Sequence, residues 1–222
     1  AHWADPTREH TVQPGMLYLS QPTEEGTLYT LSELEEIRKA CDEYRLPLYI
    51  DGARCGYGLG AAENDVTLAD LARLANVFYI GGTKVGALFG EAVVIPDPAI
   101  QKDFRYMIKR MGGMLAKGRL LGIQFEVLFQ DGLYEQLGRR TVALAQKLAA
   151  AFEAKGISML HKSPTNQQFP ILTQTQRDKL GEKYAFSFWQ AMDEDRAAVR
   201  FCTSWATREE DVDALVADIQ NL

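Results

Sequence analysis

The sequence predicts an α/β protein whose main sheet is parallel or mostly parallel. Short apolar runs that end in turn residues alternate with segments in which apolar residues recur at helical spacing. This β-α-β-α-β alternation is typical of α/β folds, in which helices cross over between parallel strands. In chain order, the predicted elements of this part are a strand at 16–19, a helix that begins near Thr30 or Ser32, a strand at 47–51, a helix at 67–74, and strands at 77–80 and 92–95.

Local signals support each of these elements. Thr30 and Ser32 can each cap the first helix, whose acidic first turn suits the positive end of the helix dipole. The run at 47–51 is apolar and ends in an Asp-Gly turn signal, so we expect a central strand that is buried on both faces. Residues 64–65 are the expected cap region of the helix at 67–74.

The second half of the chain predicts a long helical region followed by a smaller α/β unit. Residues 99–155 are compatible with helix except at glycine-containing breaks, and an apolar stripe of helical spacing within 133–152 is expected in the core. We therefore predict a lead-in segment at 1–15, a partial large domain at 16–132 and a small C-terminal domain at 133–222. Predicted elements of the small domain are strands at 169–172, 185–190 and 199–203, and helices near 177–181 and 209–222.

Composition excludes several classes of function. The residues are 46% hydrophobic and 24% charged, which is a globular balance without a disorder signature. The net charge is −6 and the basic residues are scattered, so we expect no nucleic-acid partner. No apolar run approaches the roughly 18 residues that span a bilayer, and the first residues lack the apolar core of a signal peptide. We expect a soluble, cytoplasmic protein without a membrane partner.

The cysteines predict neither a disulfide framework nor a metal site. Cys41, Cys55 and Cys202 are odd in number, far apart and outside any C-x-x-C pair, so no metal centre is expected. Most of them are expected to be buried apolar residues. Cys55 lies beside the candidate site described next, and it could be either such a residue or a reactive thiol.

Two chemically capable residues follow strand ends. Ligands of open α/β sheets bind at the carboxyl ends of the strands. Asp51 ends one predicted strand and Lys84 stands just past the next, one β-α-β step further along the chain. Lys84 lies in the glycine-rich segment 81–86 and has two readings, an exposed lysine in a glycine turn or a desolvated amine that can form a Schiff base. A phosphate-binding P-loop is excluded, because Val85 stands where that motif needs Ser or Thr.

The pairing of these two residues favours pyridoxal phosphate as the cofactor. Asp51 alone could be a helix cap or a metal ligand. Pyridoxal phosphate, however, needs a lysine for its aldehyde and an acid that keeps its ring nitrogen protonated, and Asp51 and Lys84 supply both groups. Arg54 adds a planar cation at the same rim, suited to a carboxylate or to the cofactor's phenolic oxygen.

The motifs together resemble the threonine aldolase and aromatic amino-acid β-eliminating lyase family of the aspartate-aminotransferase-like fold. Each motif alone is weak, but the ordered set with its spacing is specific and extends over most of the chain. The resemblance implies an incomplete large domain with a mostly parallel sheet and a small C-terminal α/β domain. The motifs that carry it lie at 20–24, 51–54, 81–86, 115–119, 165–169 and 200–205.

The resemblance also implies roles for individual residues. Lys84 would form the Schiff base with pyridoxal phosphate, and Asp51 would pair with the pyridinium nitrogen. Arg54 would lie by the ring and the substrate carboxylate, and Arg200, at the start of a C-terminal strand, would bind the α-carboxylate of the amino acid. Thr83 would contact the phosphate, although a turn-capping hydroxyl is an equal alternative.

Further pocket residues are implied at the end of another strand. Ser20 and Thr23 are expected to bind substrate there, and Glu24 is a further candidate for the lining. The family's phosphate cup and the residue that stacks on the ring have no counterpart in this sequence, and none of its histidines suits the second role. We therefore expect a chain that is truncated at its N-terminus.

The expected activity is that of a pyridoxal-phosphate lyase. It would cleave the Cα–Cβ bond of a β-hydroxy amino acid such as threonine, giving glycine and acetaldehyde. Two alternatives remain at this point: β-elimination from tryptophan or tyrosine, and a catalytically silent fragment that only self-associates. The resemblance further implies a homodimer or homotetramer that acts on a small amino acid, with a general base that the sequence does not identify.

Overall fold

The computed structural model describes residues 2–222. Within them, the main sheet consists of β1 (Leu17–Ser20), β2 (Leu48–Asp51), β3 (Val77–Gly81) and β4 (Glu91–Val94), which neighbour one another in chain order. The first three strands are parallel, and β4 runs antiparallel to β3. The predicted mostly parallel sheet is therefore confirmed.

The two faces of this sheet differ in burial. Leu19, Ile50 and Phe78 are aligned across three strands on the face that contributes to the core. On the opposite face Tyr18 lies across from Tyr49, and their rings stack with centroids 5.4 Å apart. The prediction that the second strand is buried on both faces is wrong, because its tyrosine face is only partly covered.

Helices α1 (Leu31–Tyr44) and α3 (Leu68–Leu74) contribute to the core beneath the sheet, and both begin with a capping box. Thr30 caps α1 together with Glu33, which confirms one of the two predicted caps. Thr67 caps α3, so the predicted cap at 64–65 is wrong. Asp65 instead accepts a hydrogen bond from the Leu31 amide, at the start of α1 (2.9 Å).

The helical region that follows is divided at the predicted glycine-containing breaks and also at 102–103, where Asp103 has a left-handed backbone (φ 59°). Its longest helix, α7 (Leu133–Ala154), contributes Tyr134 and Val142 to the core of the main sheet and Phe152 to that of the C-terminal sheet, and it therefore connects the two units. Because α7 serves both cores, the boundary placed at residue 132 stays a prediction. The remaining helices of the first part are α2 (Cys55–Leu59), α4 (Pro98–Gln101), α5 (Phe104–Arg110) and α6 (Arg119–Phe129), and they precede α7 (Leu133–Ala154).

The second sheet is antiparallel and centres on its last strand. The strand predicted at 169–172 is observed only from Ile171, since Phe169 lies in no strand and Pro170 forms an isolated bridge with Met159. The last strand begins at Arg196, so Arg200 lies inside it and not at its start, as the sequence predicted. The elements are β5 (Gln167–Gln168), β6 (Ile171–Thr173), α8 (Gln174–Gly181), β7 (Ser187–Ala191), β8 (Arg196–Cys202) and α9 (Glu209–Gln220).

Across residues 2–222, no helix is both long enough and apolar enough to cross a bilayer.

Candidate functional site

Asp51 ends β2 and Lys84 follows the adjacent parallel strand β3, so both lie at one edge of the main sheet. The backbones of the two loops touch there, because the Gly81 amide donates to the Gly52 carbonyl at 2.9 Å. A Cβ on Gly52 would lie 1.9 Å from the carbonyl oxygen of Tyr79, so only glycine permits this approach. The positive charge of Lys84 acts on the Asp51 carboxylate across this contact.

The Asp51 carboxylate is held in its ionised form by three donors. It accepts hydrogen bonds from the phenols of Tyr18 and Tyr79 and from the Ala53 amide, the last at 2.9 Å. Burial by itself would raise the pKa of Asp51, but these hydrogen bonds and the charge of Lys84 outweigh it, and the pKa is lowered from its ordinary value. The bond to Asp51 also raises the pKa of Tyr18, to about 12, so that this phenol stays a donor.

Neither tyrosine was identified from the sequence. Tyr18 lies on the same face of the sheet as Asp51, two positions before the residue that pairs with it. Tyr79 lies on the neighbouring strand β3, whose register with β2 places it beside Asp51. Alternation along strands could have placed both side chains on the Asp51 face, given the register.

Lys84 lies in a 3-10 turn, Thr83–Val85, whose backbone is anchored by buried side chains. The Val85 side chain is fully buried, and the Tyr57 phenol donates to the Lys84 carbonyl. The Lys84 side chain itself is exposed, so the desolvated environment predicted as one of its two readings is not observed. Among residues 2–222, no hydrogen bond or ion pair engages its amine.

Thr83 is tied to a carboxylate that the sequence did not point to. Its hydroxyl donates to Glu91 at 2.9 Å, and the other oxygen of Glu91 accepts from the Gly82 amide. The two donors that precede Lys84 are therefore occupied by a side chain of β4. This geometry favours the turn-capping alternative, and a phosphate contact from Thr83 stays a prediction.

Arg54 and Arg200 converge on one carboxylate, that of Glu24. The Nη1 atom of Arg54 lies 2.9 Å from Oε1 of Glu24, and the Nη1 atom of Arg200 lies 3.8 Å from its Oε2. Arg200 is oriented by Gln167, whose Oε1 accepts from it at 3.2 Å, and by the Trp189 ring, whose centroid is 5.1 Å from its guanidinium carbon. Two guanidinium groups thus face the same carboxylate, one from the turn after β2 and one from β8.

The residues predicted at the end of β1 occupy different positions. Ser20 ends the outer strand β1 and pairs in register with Asp51 of β2. The Thr23 hydroxyl bonds to that of Thr27 at 2.7 Å and accepts from the Thr27 amide at 3.1 Å, which closes the turn around Glu24. Direct contacts from Ser20 and Thr23 to substrate stay predictions.

The cysteines divide into buried and exposed residues. Cys55 is fully buried and burial raises its pKa to about 12, so the suggestion that it is a reactive thiol is wrong. Cys202 is exposed and lies at the site, with its sulfur 3.9 Å from Oε1 of Gln167. Packing around its sulfur raises the pKa of Cys202, while the charges of Arg200, Arg54 and Lys84 oppose that rise.

The groups gathered here suit an aldehyde that carries a basic ring. Lys84 offers a primary amine free to condense, Asp51 an ionised carboxylate for a protonated ring nitrogen, and Arg54 and Arg200 bind carboxylates. The Nε of Arg200 is buried and has no hydrogen-bond partner in the described part of the chain, so one donor of this guanidinium is not satisfied by the protein. Over the same residues, no group of three or more His, Cys, Asp or Glu could hold a metal ion.

The comparisons with known proteins agree with this geometry. The family model described as beta-eliminating lyase matches residues 2–175. The low specificity L-threonine aldolase of Pseudomonas sp. strain NCIMB 10558 is 30% identical over 214 residues, and that of Pseudomonas aeruginosa is 31% identical over 216. Each alignment covers 95% of this chain and 60% of the relative, so the chain spans about 60% of the length of these curated relatives.

Solved structures give the same picture. A threonine aldolase from Leishmania major has a TM-score of 0.93 at 43% identity, covering 96% of this chain and 62% of that one. A Thermus thermophilus aspartate aminotransferase mutant has a TM-score of 0.66 at 16% identity, covering 98% of this chain and 60% of that one. The second likeness shows the fold alone, and it confirms the predicted fold class.

Proposed function

Because the chain belongs to the beta-eliminating lyase family, we propose that it carries the lysine-bearing part of the active site of a pyridoxal-phosphate lyase. The proposed reaction is cleavage of the Cα–Cβ bond of a β-hydroxy amino acid such as threonine, which yields glycine and acetaldehyde. The observation that carries the proposal is the meeting of an ionised Asp51 with an unpaired Lys84 amine at one sheet edge. The names of the Pseudomonas and Leishmania relatives support threonine as the substrate.

Asp51 would hold the ring nitrogen of the cofactor, and Lys84 would hold its aldehyde carbon. Pyridoxal phosphate, when bound, supplies an electron sink that stabilises the carbanion left by bond cleavage. Asp51 keeps a proton on the ring nitrogen, since its two phenol partners and its backbone donor hold the carboxylate ionised and fix its direction. Lys84 provides the amine for the aldehyde, on a turn whose backbone is anchored by Val85 and Tyr57.

Arg54 and Arg200 would bind the α-carboxylate of the amino acid. Both already face one carboxylate, that of Glu24, at 2.9 Å from Arg54 and 3.8 Å from Arg200. Ser20 would contribute from the neighbouring strand end, and Thr83 would approach the phosphate only by leaving Glu91. Self-association as a homodimer or homotetramer remains part of the proposal.

Covalent labelling tests the cofactor site. The purified protein is mixed with pyridoxal phosphate, its visible absorbance is recorded, and the adduct is reduced with borohydride and located by peptide mass mapping. We expect a visible band and a label on Lys84, loss of both in Lys84→Ala, and retention of both in the control Lys39→Ala, which changes an exposed lysine of α1. A label spread evenly over exposed lysines would sink the proposal.

Product analysis separates the two reactions that such a site supports. Acetaldehyde and glycine released from threonine support carbon–carbon cleavage. Release of an aromatic leaving group from tryptophan or tyrosine, without cleavage of threonine, would replace the proposal with β-elimination. A protein that binds no cofactor and turns over neither substrate would be a self-associating scaffold.

A further inference from the structure

Glu24 occupies the space between the two arginines proposed to bind substrate. Each of its carboxylate oxygens faces a different guanidinium group, Oε1 that of Arg54 at 2.9 Å and Oε2 that of Arg200 at 3.8 Å. A substrate α-carboxylate would need the same two cations. The side chain therefore lies where the proposed ligand has to bind.

The cations are fixed, whereas the carboxylate between them is not. The Arg54 and Arg200 side chains are only 11% and 22% exposed, while that of Glu24 is 62% exposed. Arg200 is further held by Trp189 and Gln167, and its Nε remains without a partner among the described residues even with Glu24 in place. Glu24 therefore satisfies this pair of cations incompletely.

The backbone beneath Glu24 is anchored, so only its side chain is free to leave. Gln167 donates to the Glu24 carbonyl at 2.9 Å, and a ring nitrogen of His161 lies 2.7 Å from the Glu25 carbonyl oxygen. The next carbonyl, that of Gly26, accepts from two buried hydroxyl groups at 3.1 Å each. Rotation of the Glu24 side chain toward solvent would open the space without moving the loop.

We propose that Glu24 is an internal stand-in for the substrate carboxylate. In the absence of ligand it neutralises the two arginines, and an incoming amino acid displaces it by carboxylate exchange. The contact is autoinhibitory, since it lowers the affinity for any carboxylate that needs both cations. The identity of that carboxylate as an amino acid rests on the proposed function.

Arginine protection tests this contact without cofactor or turnover. Phenylglyoxal modifies accessible guanidinium groups, and peptide mass mapping gives separate rates for Arg54 and Arg200. Acetate is the probe ligand, and the acetate concentration that halves these rates reports its affinity. Glu24→Gln keeps the size of the side chain and removes its charge, and Glu25→Gln is the matched control one residue away.

In Glu24→Gln, we expect the half-protecting acetate concentration to fall by roughly fivefold, the upper end for an ion pair with one exposed partner. In Glu25→Gln it should equal that of the unmodified sequence. An unchanged or higher concentration in Glu24→Gln would overturn the proposal, because it would show that Glu24 does not compete or that it orients the arginines for binding. An equal fall in both variants would also overturn it, since general surface charge would then explain the effect.

This result is independent of the labelling of Lys84. If Lys84 takes the cofactor while acetate protection does not respond to Glu24→Gln, only the displacement proposal fails. If acetate protection responds while Lys84 remains unlabelled, the carboxylate site stands and the lyase proposal fails.

Discussion

The hydroxyl of Tyr134 joins α2 to the end of β3, the elements beside Asp51 and Lys84, and its removal is expected to destabilise the fold. The residue is 1% exposed, accepts from the Gly56 amide at 3.0 Å and donates to the Gly81 carbonyl at 2.8 Å. Gly56 lies in the first turn of α2, where an amide has no acceptor within its own helix. Tyr134→Phe keeps the ring and its stacking on Phe129, so it leaves no large cavity.

The loss of stability in Tyr134→Phe should therefore come from polar groups that are left without a hydrogen-bond partner. Each buried group left without its partner costs about 1–3 kcal/mol, and the carbonyl with its second lone pair costs less than the amide. We expect Tyr134→Phe to lower the free energy of unfolding by about 2–4 kcal/mol. Burial raises the pKa of Tyr134, so the phenol remains a donor at all pH values at which the protein is studied.

Equilibrium urea unfolding measures this loss, and amide hydrogen exchange at Gly56 locates it. The control is Tyr106→Phe, which removes the hydroxyl of a tyrosine that is 76% exposed and should change stability by less than about 0.5 kcal/mol. If Tyr134→Phe is as stable as the control and the Gly56 amide exchanges no faster, the bridging role assigned to this hydroxyl is refuted.

Two further predictions concern Asp51 and the cysteines. Because the pKa of Asp51 is lowered in the folded protein, its contribution to stability is complete above the ordinary carboxyl pKa of about 4 and is lost as the pH falls through the lowered value. Urea midpoints should thus separate the unmodified sequence from Asp51→Asn at pH 7 and converge in acid; a separation independent of pH would contradict the ionised state. A thiol-specific disulfide reagent should modify Cys202 in the native protein and reach Cys41 and Cys55 only on unfolding. If the native Cys202→Ser variant reacts with the reagent, Cys41 or Cys55 is accessible, and the burial of these two residues is contradicted.

The sequence predicts correctly that Asp51 and Lys84 lie at the same edge of the main sheet. Asp51 and Lys84 were predictable as neighbours because parallel strands joined by helices place their carboxyl ends at one edge. The family resemblance is confirmed by the matches to beta-eliminating lyase and threonine aldolase sequences. The roles assigned to Arg54 and Arg200 stay predictions, although both side chains face the same carboxylate.

The partners of these residues were not predictable, because they come from positions that share no periodic signal with them. Tyr134 reaches the site from α7, where the predicted apolar stripe, made of Leu133, Leu137, Leu144, Leu148 and Phe152, does not include it. Glu91 reaches Gly82 and Thr83 across an antiparallel pair, and only the register of β3 with β4 brings it there. Arg200 was placed at a strand start because the signal for the first half of β8, which includes two alanines, is weak.

The surroundings of Asp51 and of the Lys84 turn differ from those of the Glu24 carboxylate between the two arginines. Asp51 is surrounded by donors from its own sheet, and the Lys84 turn is closed by Glu91 on one side and Tyr57 on the other. The orientation of the carboxylate and the position of the Lys84 backbone are therefore set by the protein itself, as preorganised sites require. Between the arginines, by contrast, the counter-charge is a single exposed side chain, that of Glu24, whose backbone is held by Gln167. Under the displacement proposal, a ligand carboxylate would enter by exchange with the Glu24 side chain, and neither Asp51 nor the Lys84 turn would have to move.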